Sequence, residues 1–156
     1  MRARWLLPVA LALAAQAVWA ETYSGQVVRV SDGDTLTVLV DRKQIKVRLT
    51  EIDAPELHQA FGQRSKQSLS EMCAGRAATV RSSGRDKYGR VLGRVDCDGL
   101  DANAEQVRRG MAWIYDRYAT DRALYPLQSE ARTTHAGLWA DPAPTAPWVW
   151  RSQHKR

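Results

Sequence analysis

The chain has 156 residues, with 23 lysines and arginines against 17 acidic residues, a net charge of +6, and two cysteines. This length fits one domain with a modest core rather than several domains. The positive charge favours a polyanionic partner, although many basic proteins bind none and charge alone decides little. Two cysteines without paired histidines exclude a structural zinc site.

The first twenty residues have the pattern of a secretory signal peptide. Arg2 and Arg4 form a basic start, an apolar run continues to Trp19, and Val18 and Ala20 supply small residues at positions −3 and −1. The run is short for a membrane span, which takes about 20 apolar residues. We expect cleavage after Ala20, no membrane anchor afterwards, and export to the periplasm or the medium. Loss of two arginines leaves 21 basic against 17 acidic residues, a net charge of +4.

The two cysteines are Cys73 and Cys97. Export places them in an oxidising compartment, where disulfides form and persist. A bond between them would stabilise the fold by roughly 3 kcal/mol through the loop that it closes. Two free buried thiols are the alternative, and we predict the disulfide.

Three strands are predicted first along the mature chain, over residues 24–30, 35–40 and 44–50. They alternate apolar and polar side chains or consist of β-branched residues, and turn-forming residues separate them. Strict alternation in the third strand places Arg48 on its polar side.

The elements that follow are a helix over about 61–74, strands over 77–82 and 90–97, and helices over about 101–109 and within 121–136. Pro126 must either open or kink the last helix. Three strands, a helix and two strands form the chain order of an OB-fold barrel. We therefore predict an α+β, mainly β, fold with five strands and about three helices. Such a barrel leaves one face free for oligonucleotides, but a fold does not by itself give a function.

The end of the chain, residues 141–156, contains three prolines and a basic terminus. We interpret it as an extended segment laid over the surface, with Trp148 or Trp150 pinned to the domain. The predicted organisation is a signal peptide at 1–20, a barrel domain at 21–140 and this tail.

Charged residues at the ends of neighbouring strands carry the chemistry that phosphodiester cleavage needs. The reaction requires neutralised phosphate oxygens, a positioned water and a stabilised leaving oxygen. A hard cation on carboxylates, two arginines and one further carboxylate supply these. The candidate residues are Asp34, Arg48, Asp53, Glu56 and Arg90.

Each candidate also has an ordinary explanation. An Asp-Gly pair usually marks a hairpin turn, which is the role we assign to Asp32. Asp53 before Ala-Pro is compatible with turn chemistry, and Glu56 is compatible with capping of the following helix. Arg48 and Arg90 fit solvated barrel positions. Only the combination of these residues favours an active site.

Three motifs in this order and spacing resemble the staphylococcal nuclease (thermonuclease) family. They are VSDGDT at 30–35, RLTEIDAPE at 48–56 and DKYGR at 86–90, and the resemblance continues through 103–115 and 129–139. It therefore covers nearly all of residues 24–139.

The resemblance implies a metal site and a catalytic carboxylate. Asp34 and Asp53 match the carboxylates that hold the family's single calcium ion, and the backbone carbonyl of Ala54 matches its third protein ligand. Glu56 matches the residue assigned to activating or orienting the attacking water. Oxygen ligands suit a hard cation.

The resemblance also implies how the substrate is held. Arg48 and Arg90 match the two arginines that bind the scissile phosphate and stabilise its transition state, and bidentate arginine suits a phosphate. Lys87 and Tyr88 match residues that contact a neighbouring phosphate. A tyrosine that packs near the bound nucleotide in the family falls on Asp116 here, so we expect the nearby Tyr115, or else Tyr118, to take that place.

Histidine chemistry is not expected, because His58, His135 and His154 match no motif position and fit surface roles. The resemblance implies a calcium-dependent phosphodiesterase that acts on DNA and RNA with little sequence preference and leaves 3′-phosphorylated products. We expect a monomer without a stable protein partner. The alternative is a non-catalytic OB-fold nucleic-acid-binding module. An exported structural protein with a basic surface would leave the motifs unexplained.

Overall fold

The computed structural model of the chain describes residues 21–154, so the predicted signal peptide and the last two residues lie outside it. In chain order the structure contains strands β1 (Thr22–Val30), β2 (Thr35–Val40), β3 (Lys43–Leu49) and β4 (Ile52–Asp53), helix α1 (Gly62–Cys73), strands β5 (Ala77–Arg85), β6 (Val91–Cys97) and β7 (Leu100–Asp101), helix α2 (Ala102–Arg108), strand β8 (Trp113–Ile114), helix α3 (Leu124–Thr133), a short 3₁₀ helix (Gly137–Ala140) and helix α4 (Pro147–Gln153).

Five strands form a closed barrel in the order β3-β2-β1-β5-β6. Neighbouring strands in this order are antiparallel, and the barrel closes through a parallel pairing of β3 with β6, in which Val47 lies opposite Val91. Closure removes the unpaired edges that an open sheet would expose. The predicted OB-fold with α+β, mainly β, composition is confirmed.

The barrel interior is filled by aliphatic side chains from alternate positions of all five strands. Alternation points successive side chains to opposite faces, so one face of each strand supplies the core. The apolar residues of the five barrel strands with at most 1% exposure are Val27, Leu36, Val38, Val47, Leu49, Val80, Val91, Val95 and Cys97.

Helix α1 closes one end of the barrel and is bonded covalently to it. It buries Leu69, Met72 and Cys73, and the sulfur of Cys73 forms a disulfide with Cys97 on β6, over a sequence separation of 24. The structure thus forms the predicted disulfide. Because it joins a helix to a barrel strand, it restricts the unfolded chain as well as fixing α1.

Helix α3 resolves the question raised by its proline. Pro126 is the third residue of the helix, so it opens the helix rather than kinking it. A proline there removes an N–H that has no partner within the helix in any case.

The predicted tail conformation is wrong for residues 147–153, which form α4 instead of an extended segment. Pro147 stands at the first position of that helix, where its fixed φ favours helix initiation. The described residues therefore contain four α-helices, against about three expected. Within residues 21–154, no helix has the length and apolar character needed to cross a membrane.

Candidate functional site

The loop between β1 and β2 holds Asp34 by close packing against the helices. The Gly33 backbone lies so near α1 that a Cβ atom there would come within 1.8 Å of Ser65 Oγ. The buried amide of Gln106 on α2 donates a 2.6 Å hydrogen bond to the Gly33 carbonyl. Asp32 makes a local turn by accepting from the Asp34 N–H at 3.0 Å, as predicted. The aspartate is thus placed by a rigid loop.

The Asp34 carboxylate is buried and hydrogen bonded. Oδ2 accepts from the Ala54 N–H at 2.7 Å, and Oδ1 accepts from the Thr35 hydroxyl at 3.1 Å. Burial raises the pKa of Asp34 to about 7, and the neighbouring Arg48 only partly opposes this. A nearby cation stabilises the charged form of a carboxylate in this setting.

Arg48 on β3 connects the two candidate metal-binding aspartates. Its Nε lies 3.1 Å from Asp34 Oδ1, and its Nη2 lies 3.0 Å from Asp53 Oδ1. Nη1 donates to the carbonyls of Leu49 and Ile52 at 2.7 and 3.0 Å. Among the described residues, one N–H of Nη2 is the only N–H of this guanidinium without a partner. Arg48 is therefore fixed in place, and this N–H can still donate a hydrogen bond.

A sharp turn after β3 brings Asp53 and Glu56 back beside Arg48. Glu51 lies in this turn with a φ of 67°, and β4 then pairs with β8, with Asp53 opposite Trp113. Asp53 is 1% exposed, whereas the Glu56 side chain is 40% exposed. The turn therefore presents one buried and one accessible carboxylate at the same end of the barrel.

Arg151 from α4 reaches into this cluster, which the sequence analysis missed. It donates to both oxygens of Asp53, from Nη2 to Oδ2 at 2.7 Å and from Nη1 to Oδ1 at 3.1 Å. Nη1 also donates to Glu56 Oε1 at 2.9 Å. These hydrogen bonds, Asp53 first, raise the pKa of Arg151 above its usual range although burial lowers it. The only feature of the sequence that could have indicated this contact was a basic residue following Trp148 and Trp150.

The residue chosen for nucleotide contact, Tyr115, is covered by the tail. The Trp148 ring stacks on it with centroids 5.3 Å apart and planes 4° apart. Trp148 also packs edge-on against Trp113 at 5.7 Å, and Tyr118 contacts the edge of Tyr115 at 5.0 Å. The expected pinning of Trp148 is confirmed. Trp150 stacks on His154 instead.

Lys87, Tyr88 and Arg90 lie together in the loop between β5 and β6. Asp86 organises this loop by accepting from the N–H groups of Tyr88 and Arg90 at 2.9 and 3.0 Å and from Arg90 Nε at 2.7 Å. Tyr88 is 73% exposed, with Lys87 Nζ and the Arg90 guanidinium 5.0 and 5.7 Å from its ring centre. This loop forms an exposed cationic edge.

The structure brings Asp34, Arg48, Asp53 and Glu56 into one cluster but keeps Arg90 apart from it. Arg90 shares its described ion pair with Asp86 alone. The pairing of β3 with β6 nevertheless brings the two arginines near each other along the chain of contacts, because Arg48 follows Val47 on β3 and Arg90 immediately precedes Val91, which lies opposite Val47. The three histidines are exposed, as expected.

The donor set fits a hard cation. Asp34 and Asp53 share one guanidinium, and Asp53 and Glu56 share another, so each pair of carboxylates is close enough to contact one positive group. All of these donors are oxygens, which calcium prefers. No group of three or more His, Cys, Asp or Glu side chains in residues 21–154 is arranged to hold a metal ion alone. Two aspartates would need the Ala54 carbonyl and water to complete a site.

A second arginine–carboxylate cluster lies beside the first. Arg94 on β6 contacts Asp101 at 2.7 Å, Asp121 at 2.9 Å and Glu51 at 3.3 Å. Glu51 also accepts from the N–H groups of Thr120 and Asp121 at 2.6 and 2.8 Å. This cluster ties the segment before α3 to the barrel.

Comparison with known proteins identifies relatives over most of the chain. The family model described as "Staphylococcal nuclease homologue" matches residues 46–141. An Escherichia coli protein named "Uncharacterized endonuclease" is 44% identical over 149 residues, which cover 95% of this chain and 97% of that one. A Shigella flexneri protein named "Micrococcal nuclease" is 43% identical over 148 residues, with 88% and 84% covered. A Haemophilus influenzae protein named "Uncharacterized endonuclease" is 46% identical over 131 residues, with 83% and 74% covered.

Proposed function

Because the chain belongs to the staphylococcal nuclease family and is a nuclease, we propose that it is an exported, calcium-dependent enzyme that hydrolyses DNA and RNA. Sequence preference is low in this proposal, because the candidate site offers charges for phosphates rather than a device for base edges. The observation that carries the proposal is the Arg48 bridge, which joins Asp34 and Asp53 at 3.1 and 3.0 Å at one end of the barrel.

Asp34, Asp53 and the backbone carbonyl of Ala54 are the proposed holders of one calcium ion. When bound, the ion would neutralise charge that develops on the phosphate oxygens. The short bond from the Ala54 N–H to Asp34 keeps the two segments of this site adjacent. Both aspartates are buried, so a bound cation would replace part of the solvation that they lack.

The arginines and Glu56 are the proposed catalytic residues. Arg48 offers its remaining Nη2 N–H, and Arg90 its guanidinium, to the non-bridging oxygens of the scissile phosphate. Glu56 takes a proton from water as the water oxygen bonds to phosphorus. The bond from phosphorus to the 5′ oxygen breaks, this oxygen gains a proton from solvent, and a 3′-phosphate is left.

Lys87, Tyr88 and Tyr115 are the proposed contacts beyond the scissile bond. The exposed Tyr88 ring and the adjacent Lys87 ammonium suit a neighbouring phosphate, and the Tyr115 ring suits stacking on a base. The nuclease domain proposed here spans residues 21–140. Export after cleavage behind Ala20 agrees with the disulfide, since such bonds persist in oxidising compartments.

The direct test is a nuclease assay on the mature protein, with single- and double-stranded DNA and with RNA. We expect cleavage with calcium and none in excess chelator, and products whose 3′ ends accept a polymerase only after phosphatase treatment. Activity that persists in excess chelator would contradict the metal mechanism. Cell fractionation and N-terminal sequencing test the export, with Glu21 expected as the first residue.

A further inference from the structure

Helix α4 covers the candidate site with two side chains that resemble the proposed ligands in chemistry. We propose that α4 is an internal occupant of the site, which competes with calcium through Arg151 and with a nucleotide through Trp148. The nuclease then exists in a closed form with α4 docked and an open form in which α4 is released. This inference rests on the proposed function, because the competition concerns the same carboxylates.

Arg151 is in position to replace a cation. Its guanidinium bonds both oxygens of Asp53, at 2.7 and 3.1 Å, and one oxygen of Glu56, at 2.9 Å. Asp53 is a proposed metal ligand and Glu56 the proposed partner of the attacking water. Asp53 Oδ2 has Arg151 as its only hydrogen-bond partner among the described residues. A metal ion that bound this oxygen would therefore compete with the Arg151 guanidinium.

Trp148 is in position to replace a base. Its indole lies parallel to the Tyr115 ring, with planes 4° apart and centroids 5.3 Å apart, and its edge-on contact with Trp113 holds it there. Aromatic side chains take up single-stranded nucleotides by the same kind of stacking, which is worth about 1–3 kcal/mol per base. A base and Trp148 cannot occupy this face of Tyr115 together.

In this proposal α4 docks reversibly. Gln59 anchors the approach to the helix by donating a 2.6 Å bond to the Thr145 carbonyl. Helix α4 itself has only seven residues, which is too few to be stable on its own in water. The Arg151 side chain is 40% exposed, so solvent reaches its ion pairs. For a ligand that binds only the open form, the free energy needed to release α4 is therefore modest.

The proposal predicts tighter calcium binding when the docked contacts are removed. A ligand that binds only the open form shows an affinity reduced by the fraction of open protein. We expect Arg151→Gln and Trp148→Ala each to lower the calcium dissociation constant about tenfold, measured by titration calorimetry without nucleic acid, if about one protein in ten is open. Trp148→Ala weakens the docking of α4 without removing a positive charge, because it leaves Arg151 in place. It therefore separates the effect of docking on calcium affinity from the effect of charge. Arg29→Gln, an exposed arginine on β1, is the matched charge control and should change little.

Hydrogen exchange on the wild-type protein gives a second readout. The amides of residues 148–153 should exchange faster when calcium and a phosphorothioate oligodeoxynucleotide are added together. Increased protection would mean that α4 closes over the substrate and would overturn the proposal. Unchanged calcium affinity in both variants would also overturn it, even if both are fully folded by melting temperature.

The two proposals fail in distinguishable ways. If the wild-type protein neither binds calcium nor cleaves nucleic acid with it, the proposed function falls and the competition falls with it. If the wild-type protein cleaves with calcium but neither variant binds the ion more tightly, only the competition falls.

Discussion

Two arginine–carboxylate clusters, around Arg48 and Arg94, lie at the same end of the barrel. They differ in the hydrogen bonds that their carboxylates accept besides those from arginine. In the Arg94 cluster, Glu51 also accepts hydrogen bonds from backbone N–H groups of the loop before α3. Asp101 also caps α2 by accepting from the Ala104 N–H at 3.0 Å. In the Arg48 cluster, the described partners of Asp53 and Glu56 side chains are guanidinium groups only.

This difference separates a structural cluster from one suited to function. Backbone N–H groups fix Glu51 and Asp101 in place, and they also fix Asp34 of the Arg48 cluster, which accepts from the Ala54 N–H. A carboxylate bonded only to side chains can exchange one cation for another. The number of ion pairs is therefore a poor guide to function. The carboxylates able to change partners here are Asp53 and Glu56, whose described partners are side chains only.

The largest expected effect concerns catalysis. Arg90→Ala should lower kcat/KM by about 10³ or more, because the transition state loses a positioned positive charge. The free energy of unfolding should fall by only about 1 kcal/mol, since Arg90 pairs with Asp86 in an exposed loop. Steady-state kinetics and urea unfolding measure the two losses. Arg90→Lys is the control that keeps the charge, and equal losses in folding and catalysis would assign Arg90 to the structure instead.

The next effect concerns stability. Arg94→Met should lower the free energy of unfolding by about 3 kcal/mol, because three carboxylates lose their shared cation. Methionine keeps much of the side-chain volume, so lost packing contributes little. The kcat/KM of the folded variant should stay within a few fold of wild type. A loss of activity as large as that of Arg90→Ala would erase the distinction between the clusters.

Glu51 gives the structural cluster a dependence on pH. Burial raises its pKa, but hydrogen bonds from Thr120 and Asp121 and the charge of Arg94 outweigh this and lower it below the ordinary 4.5. Its stabilisation is therefore fully present above pH 4.5 and is lost as the pH falls through the lowered pKa. Urea unfolding of wild type and Glu51→Gln should differ by about 1–2 kcal/mol at pH 7 and converge in acid. A difference that stays the same until the protein unfolds in acid would contradict this account.

The smallest effect is expected for an ion pair outside both clusters. Arg76 and Asp98 lie 3.2 Å apart, with side chains 52% and 47% exposed. Arg76→Ala should change the free energy of unfolding by at most about 1 kcal/mol and leave kcat/KM unchanged. Thermal unfolding and the nuclease assay check this. A larger loss would mean that exposed pairs in this chain contribute as much as the buried clusters.

Local patterns explain why most of the fold was predictable. The alternation of residues 44–50 placed Arg48 correctly, because one face of a half-buried strand must be apolar. The short strands β4 and β8 were not predicted, since a two-residue pairing has no periodicity to detect. The tail was misread because three prolines favour an extended chain, whereas Pro147 at the first helical position favours a helix.

The candidate site was predictable only where neighbouring strands define it. Asp34 and Asp53 follow strand ends, so strand order alone brings them together. Arg151 was not predictable, because its contacts with Asp53 and Glu56 connect the end of the chain to its first half. No local spacing encodes such a contact, which depends on the angle at which α4 leaves the domain.

The parallel closure of β3 on β6 also has a consequence for the order of events during folding. This pairing brings Arg48 on β3 near Arg90, which immediately precedes β6, and it joins segments separated by two strands and a helix in sequence. Contacts between distant segments are slow to form, because the entropy of closing the intervening loop is lost first. A chain with an open barrel lacks the arginine pair. Under the proposed mechanism, which uses both arginines, cleavage would therefore have to wait until β3 and β6 have paired.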